Sequence, residues 1–156
     1  MRSKPLLLAV FALIVTTVGV LSLTSRRRPA SGLIGGHLRP CPTSPNCVSS
    51  VCGDGTHLVD PIPVYGDPQS EFERLVGLTQ TLPRTELLQL TEDYAHFEVS
   101  SRILLFRSDL ELHLDVPGHL IHLRSASRVG HSDFGTNQTT IEHLRALFQG
   151  RESPQP

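Results

Sequence analysis

An uncharged apolar run near the N-terminus divides this chain into two parts of different physical character. The run extends from Pro5 to Leu23, nineteen residues in a chain of 156, and a helix of that length just crosses the hydrocarbon core of a bilayer. The residues between it and Arg26–Arg28 match a signal-peptide cleavage site poorly, and no cysteine follows directly for lipidation. We therefore predict one uncleaved N-terminal transmembrane helix, with a cleaved signal peptide as the alternative.

Composition divides the chain into four segments. Residues 1–28 contain the membrane anchor with its basic flanks, and residues 29–38 form a tether with little periodicity. Residues 39–150 have the length and apolar content of one domain, which the order of its predicted elements assigns to the α+β class, and residues 151–156 form a polar tail that we expect to be disordered. The prediction is therefore a single soluble domain behind one anchor.

The soluble part is acidic, although the whole chain has a net charge of only −1. From Pro29 onward nine arginines face fifteen acidic residues, with no lysine, which gives a net charge of −6. Nucleic-acid binding depends on clustered cations that release counterions from phosphates. This charge balance therefore argues against a nucleic-acid partner.

Three cysteines, Cys41, Cys47 and Cys52, lie within twelve residues of the soluble part. Cys41 and Cys47 enclose a short loop stiffened by two prolines, which predicts a disulfide between them in an oxidising compartment. Their spacing does not fit a zinc knuckle, and buried free thiols are the alternative. Basic residues on both sides of the apolar run leave its orientation open, so the disulfide alone favours an extracytoplasmic, periplasmic domain.

Two amphipathic helices are predicted in the soluble part. The first begins at Asp67-Pro68 and extends to about Leu82. The second extends from Thr136 to Gln149 and ends at Gly150. Their apolar faces, spaced at three and four residues, consist of Phe72, Leu75, Val76 and Thr79 in the first helix and of Ile141, Leu144, Leu147 and Phe148 in the second.

Two hairpins are predicted between these helices, and residues 40–54 are predicted to form an irregular loop. One hairpin turns at Glu92-Asp93. The other contains the strictly alternating run Leu110–Val116 and turns at Pro117-Gly118. The predicted fold class is α+β, with a two-layer antiparallel meander sheet packed by two helices behind one N-terminal transmembrane helix.

A two-residue turn at Pro117-Gly118 fixes the register of the second hairpin, whereas a three-residue turn would shift it by one. The two-residue turn predicts one apolar face and one polar face. The pairs would be Leu114 with Ile121 and Leu112 with Leu123 on the apolar face, and Glu111 with Arg124 and His113 with His122 on the polar face.

A polar run from Arg124 to Gly135 is the candidate site. Arginine side chains present planar donor forks to carboxylates and phosphates, and glycines allow backbone N–H groups to converge on an anion. The alternative is that the same groups hydrogen-bond one another and cap the last helix. The candidate ligand-binding residues are Arg124, Ser125, Ser127, Arg128, Gly130, Ser132, Asp133 and Asn137.

Two kinds of enzyme site are alternatives to this binding site. The run contains serines together with His131 and Asp133, but adjacent residues point apart, and no G-x-S-x-G motif occurs. Cys47 is the other candidate nucleophile. A metal site built from His113, Asp115, His119 and His122 is less favoured than a solvated sheet face, so we predict no metal and no cofactor.

Two motifs resemble those of a known family, domain-of-unknown-function family 1499. They are C-P-x-S-P-N-C-V-S-S, from Cys41 to Ser50, and R-S-A-S-R-x-G-x-S-D-x-G-x-N, from Arg124 to Asn137. The resemblance covers about Leu38 to Phe148 and implies a small α+β domain, often behind a hydrophobic segment, with no established activity. The motif positions carried over are Cys41, Pro42, Ser44, Asn46, Cys47, Ser49, Arg124, Ser125, Ser127, Arg128, Gly130, Ser132, Asp133, Gly135 and Asn137.

The chain departs from that family pattern in two places. Relatives tend to have an arginine shortly after the last asparagine, where this chain has Gln138-Thr139-Thr140, and paired aspartates near Ser108-Asp109. The charge of any shared site therefore differs in this chain.

Together these features predict a single-pass membrane protein with an extracytoplasmic binding or scaffold domain. Its partners would be the membrane, through Pro5 to Leu23, and an anionic small molecule or envelope protein at the Arg/Ser-rich site. A hydrolase with a serine or cysteine nucleophile is the alternative.

Overall fold

Three helices and six strands make up the described part of the chain, which comprises residues 3–28, 31–52, 55 and 57–150 of a computed structural model. The α+β fold class is confirmed. The predicted tail, residues 151–156, lies outside the described residues, as do Pro29 and Ala30 of the tether. The elements are α1 (Ser3–Ser25), β1 (Cys47–Ser49), β2 (Ile62–Pro63), α2 (Pro68–Thr81), β3 (Thr85–Leu90), β4 (Tyr94–Ser100), β5 (Arg107–Asp115), β6 (Leu120–Ser127) and α3 (Thr136–Phe148).

The six strands form one antiparallel sheet in the order β1-β6-β5-β4-β3, with β2 also paired to β6. The predicted meander corresponds to β3 through β6. The prediction that residues 40–54 are irregular throughout was wrong, because Cys47–Ser49 pairs with β6. A strand of three residues is too short to show alternation, and it forms here because the edge of β6 supplies its hydrogen-bonding partners.

The predicted register of the second hairpin is confirmed at all four pairs. His119 N donates to Val116 O at 3.2 Å, which closes the turn around Pro117-Gly118. Asp115 accepts from the backbone N–H of Gly118, and a Cβ atom at Gly118 would clash with that carboxylate. A larger residue at this position would therefore displace the Asp115 carboxylate from its hydrogen bond.

The helices α2 and α3 pack on one face of the sheet. α2 begins as predicted, because Asp67 accepts from Ser70 N at 2.9 Å and Pro68 occupies the first turn. Of the eight residues predicted to face the core, seven are buried and Leu147 is half-buried. The sheet contributes Ala95, Phe97, Leu110, Leu112, Leu114, Ile121 and Leu123 to this core.

The opposite face of the sheet carries mostly polar and charged side chains, and we call it the charged face. Strand alternation places these residues together, because every second side chain points to the same side. Unlike a solvated sheet face, most of it is buried. It consists of Tyr94, His96, Glu98, Arg107, Asp109, Glu111, His113, His122, Arg124 and, just past β6, Arg128.

The chain that follows α1 lies over this charged face. Ser25, the last residue of α1, is fully buried, and its carbonyl accepts from Arg128 Nη1 at 3.2 Å. Gly32 N donates to Tyr94 Oη at 3.0 Å, near the other end of β4. The predicted tether is thus ordered against the domain at Gly32.

α1 has the properties predicted for the N-terminal apolar helix. Residues Leu6–Ser25 have a mean hydropathy of 2.7, and this segment is long and apolar enough to cross a membrane. It is the one such helix among the described residues.

Candidate functional site

Arg128 is the most heavily engaged side chain of the charged face. It donates from Nε and Nη2 to the two carboxylate oxygens of Asp109, at 2.9 and 2.7 Å, and from Nη1 to Glu98 at 2.7 Å. With its bond to the Ser25 carbonyl, one guanidinium joins β4, β5 and α1. A two-point arginine–carboxylate pair is among the stronger charge-assisted contacts in proteins.

Asp109 accepts a third hydrogen bond, from His96 Nε2 at 2.7 Å. Burial alone would raise the pKa of Asp109, but the bonds from His96 and Arg128 outweigh it and hold the pKa below its ordinary value. Burial would likewise lower the pKa of Arg128, and its contacts with Asp109 and Glu98 raise it instead. Both groups are therefore ionised at neutral pH.

A second cluster of polar and charged side chains lies further along the charged face, toward the turn between β5 and β6. Arg124 Nη1 donates to Glu111 at 2.6 Å, which is the cross-strand pair that the register predicts. Tyr94 donates its hydroxyl proton to the other oxygen of Glu111 at 2.7 Å. Burial, and then the bond to this carboxylate, raises the pKa of Tyr94, so its phenol stays protonated.

The cross-strand pair of the charged face nearest the β5–β6 turn consists of two histidines, His113 and His122. The rings of His113 and His122 stack nearly parallel with their centres 6.2 Å apart. Burial lowers the pKa of both, and the nearby carboxylates of Asp93 and Asp115 offset only part of this effect. Both imidazoles are therefore neutral at pH 7. We call His113, His122 and Arg124 the histidine corner.

Unpartnered polar atoms are concentrated on this face. Among the described residues, four buried side-chain nitrogens have no hydrogen-bond partner: Arg107 Nε, His113 Nδ1, Arg124 Nε and, in the segment after α1, Arg39 Nε. Three of the four belong to the charged face. A buried donor without a partner costs about 1–3 kcal/mol, so each one calls for a water, an ion or a ligand.

The predicted serines and Asn137 lie on the other side of the sheet, at the start of α3. Asn137 is buried, accepts from Ser125 Oγ at 2.7 Å and donates to Ser127 Oγ at 3.1 Å and to Asn46 O at 2.8 Å. Ser127 also contacts Ser108 Oγ at 3.1 Å. These hydroxyls are engaged with one another, and no histidine bonds them among the described contacts.

The rest of the predicted run shapes the turn into α3. Gly130 O accepts from Asn46 Nδ2 at 2.6 Å, and Ser132 Oγ accepts from Phe134 N at 3.2 Å. Asp133 accepts from the backbone N–H groups of Gly135 and Asn137, so it caps the helix as the alternative interpretation expects. The eight candidate residues thus fall into two places, Arg124 and Arg128 on the charged face and the other six near α3.

A small cleft of about 120 Å³ lies where the cysteine loop meets the start of α3. Ser132, Asp133 and Gln138 line one side, and Cys47 and His57 line the other. Among the described residues that line it, none is an arginine or lysine. Its one carboxylate already accepts from helix amides, so this cleft is poorly suited to an anion.

The predicted disulfide is present between Cys41 and Cys47, with Cα atoms 5.6 Å apart. Cys52 is a buried free thiol whose sulfur accepts from Cys41 N. The four residues weighed as metal ligands do not converge, since no group of three His, Cys, Asp or Glu side chains in the described part of the chain is arranged to hold a metal ion.

Prediction from sequence identified Arg124 and Arg128 on this face but missed Arg107 and most of the partners of these arginines. Glu98, Asp109 and Tyr94 were not predicted as site residues, although every second residue of β4 and β5 is polar. Reading that alternation across both strands would have placed them beside Arg124 and Arg128.

Comparison with known proteins gives one match. A family described as a protein of unknown function (DUF1499) matches residues 37–148. Neither the curated proteins nor the solved structures contain a match to this chain.

Proposed function

Starting from the fact that this chain belongs to the DUF1499 family, whose description assigns no activity, we propose that it is a membrane-anchored binding module with its domain outside the cytoplasm. The bound group would be anionic, a carboxylate or a phosphate. The observation that carries the binding part is the presence of buried, unpartnered arginine donors at the charged face, Arg124 Nε above all, with the unpartnered ring nitrogen His113 Nδ1 on the adjacent cross-strand pair.

The anchor and the location have separate support. α1 has the length and hydropathy of a membrane span, and a structural disulfide such as Cys41–Cys47 is typical of oxidising compartments and rare in the cytosol. Alkaline phosphatase fused after Gln149 should be active in cells if the domain is extracytoplasmic. An inactive phosphatase, with an active cytoplasmic reporter at the same junction, would contradict this location.

The histidine corner has the chemistry of an anion site. Glu111 holds Arg124 by Nη1 alone, so the Nε edge of the guanidinium remains free to donate. His113 Nδ1 is a second unpartnered nitrogen, on the cross-strand pair next to Glu111–Arg124. Arg128, whose three guanidinium nitrogens all bond within the protein, would hold the sheet in place rather than contact the ligand.

Calorimetric titration tests the proposal with inorganic phosphate and with citrate as separate probes. Arg124→Gln removes the charge and the Nε donor, and we expect it to weaken binding by about tenfold or more, since a hydrogen bond to a charged group contributes about 1.5–3 kcal/mol. Arg102→Gln changes an exposed arginine and serves as the matched control. Heat signals that are absent for both probes in the unmodified protein would contradict the proposal.

One observation supports the alternative hydrolase. Ser50 Oγ lies 3.0 Å from His122 Nδ1, and His122 Nε2 faces Asp115 at 3.9 Å. The order serine, histidine, carboxylate is that of a nucleophile, a base and its orienting group. However, Ser50 Oγ also accepts from Leu123 N at 2.9 Å.

A fluorophosphonate probe distinguishes the two functions. Labelling that disappears in Ser50→Ala and persists in Ser132→Ala would establish a serine nucleophile at this position. An unlabelled native protein would leave the binding module as the function.

A further inference from the structure

The two ends of the sheet differ, and α1 meets only one of them. Ser25 contacts Arg128, where β4 and β6 end and β5 begins, and the chain reaches Tyr94 at the opposite end only at Gly32. We call the first of these the helix end. Because Ser25 is both the last residue of the apolar span and a buried residue of the domain, no spacer separates the two.

The last two turns of α1 also contact the domain. Val18, Leu21, Ser22 and Ser25 lie along one side of the helix, and all four are partly or fully shielded from solvent, whereas the turns before them are exposed. α1 contacts the sheet at β5, and its last residue accepts from Arg128, just past β6. If α1 crosses a bilayer, the helix end of the sheet must therefore lie at the membrane surface.

Two loops at the helix end carry exposed apolar side chains. The loop between β4 and β5 holds Ile103, which is 85% exposed, followed by the partly exposed Leu104 and Leu105. The loop after β6 holds Phe134, which is 95% exposed. Neighbouring apolar side chains left in solvent indicate a contact surface.

The backbone at these tips is also unfavourable for the residues present. Leu105 has φ of 53° and Phe134 has φ of 55°, in the left-handed region that bulky side chains seldom adopt. Phe134 in particular is 95% exposed and therefore buries almost none of its side chain within the domain.

Charge distinguishes the two ends as well. Arg84 and Arg102 are exposed at the helix end, and Arg26–Arg28 are exposed directly after α1. At the opposite end the β3–β4 turn carries Glu92 and Asp93, and Asp115 precedes the β5–β6 turn. The carboxylate in the loop after β6, Asp133, accepts from the backbone amides of Gly135 and Asn137. The exposed arginines beside the apolar tips complement anionic lipid headgroups, whereas the acidic turns at the opposite end would be repelled.

We propose that the two loops, residues 102–105 and 131–135, insert their apolar tips into the bilayer surface at the foot of α1. The proposal rests on the proposed function, since it requires α1 to span the membrane. The domain would then have three membrane contacts and a fixed orientation, with the histidine corner on the side away from the lipid.

Single tryptophans test this insertion, because the chain contains no tryptophan. Full-length Ile103→Trp and Phe134→Trp proteins would be reconstituted into phosphatidylcholine–phosphatidylglycerol vesicles. Tyr65→Trp is the matched control, since Tyr65 is 93% exposed and its neighbour Val64 bonds His119 at the opposite end. Flotation of each protein with the vesicles reports on the anchor separately.

We expect the fluorescence of both loop tryptophans to shift to shorter wavelength in vesicles. Lipids brominated near the headgroup should quench about half of this fluorescence, because interfacial apolar groups lie ~5–10 Å into the bilayer. Tyr65→Trp should stay accessible to acrylamide and unquenched by the lipid.

Loop tryptophans as accessible as Tyr65→Trp, in protein that floats, would overturn the insertion and leave the anchor intact. Shielding without quenching by brominated lipid would assign the tips to a protein contact and also overturn it. Protein that does not float would refute the anchor and the insertion together.

Discussion

Arg128 and Asp109 form a two-point ion pair that is almost completely buried, with Nε 2.9 Å from Oδ2 and Nη2 2.7 Å from Oδ1. Their side chains are 3% and 4% exposed. Two charges are taken out of water here, and the same guanidinium also bonds Glu98 and the end of α1. The pair therefore connects the charged face of the sheet to the helix that precedes it.

Removing one member of this pair should strongly destabilise the fold. Arg128→Ala leaves Asp109 and Glu98 buried without their main counter-charge, and breaking a buried pair in this way costs about 3–5 kcal/mol. Urea unfolding of the full chain in detergent measures the change. Arg102→Ala, at an exposed arginine, should change stability by less than about 0.5 kcal/mol. A loss below about 1 kcal/mol for Arg128→Ala would indicate that its donors serve a ligand instead.

Asn137 should behave as a structural residue of the opposite face. Asn137→Ala leaves the Asn46 carbonyl and the Ser125 hydroxyl without their partner in a buried site, which we expect to cost about 2–3 kcal/mol. Gln138→Ala, one residue further along α3 and exposed, is the control. Equal stabilities of the two variants would mean that water replaces the Asn137 amide without loss.

The thiol content follows from the disulfide. Protein purified without reductant and then denatured should react with one equivalent of an alkylating reagent, at Cys52, and Cys52→Ser should react with none. Reaction at three thiols would mean that Cys41 and Cys47 are reduced, and it would remove the support for an extracytoplasmic domain.

Acidification should destabilise the domain through the histidine corner. Burial lowers the pKa of His113 and His122 in the folded state below the ordinary value of 6.5. As pH falls below 6.5, these histidines take up protons in the unfolded chain before they do so in the folded domain. The free energy of unfolding therefore decreases until the pH has passed the lowered pKa values of the folded state. The free energy of unfolding of the native chain should be lower at pH 5.5 than at pH 7. This decrease should be smaller in the His113→Gln/His122→Gln variant. A pH dependence unchanged by this double variant would assign it to other groups.

The sequence predicts the elements whose signal is local. α2 has a capping aspartate and a proline at its start, and the hairpin at Pro117-Gly118 follows from a strict alternation and a two-residue turn. The same register predicts the contact of Glu111 with Arg124, which is an ion pair at 2.6 Å. Cross-strand partners can be predicted wherever both strands and their turn are recognised.

The remaining features depend on segments that are distant in the chain. The charged face is buried because Ser25 and Gly32, about 60 to 100 positions before their partners, lie over it. No periodicity in residues 25–32 reports this contact. Arg128 was predicted as a ligand donor because it follows the strand in a polar run, and its partners on β4 and β5 become evident only when the sheet is assembled.

Imidazole nitrogen NMR of His113 tests the central claim most directly, namely that the unpartnered donors of the charged face receive an anion. We expect addition of inorganic phosphate or citrate to shift the ring-nitrogen resonances of His113, with saturation, and we expect Arg124→Gln to abolish the shift at the same probe concentration. The exposed His131 serves as the internal control. His113 resonances that do not change with either probe, or that change no more than those of His131, would contradict an anion site at the histidine corner.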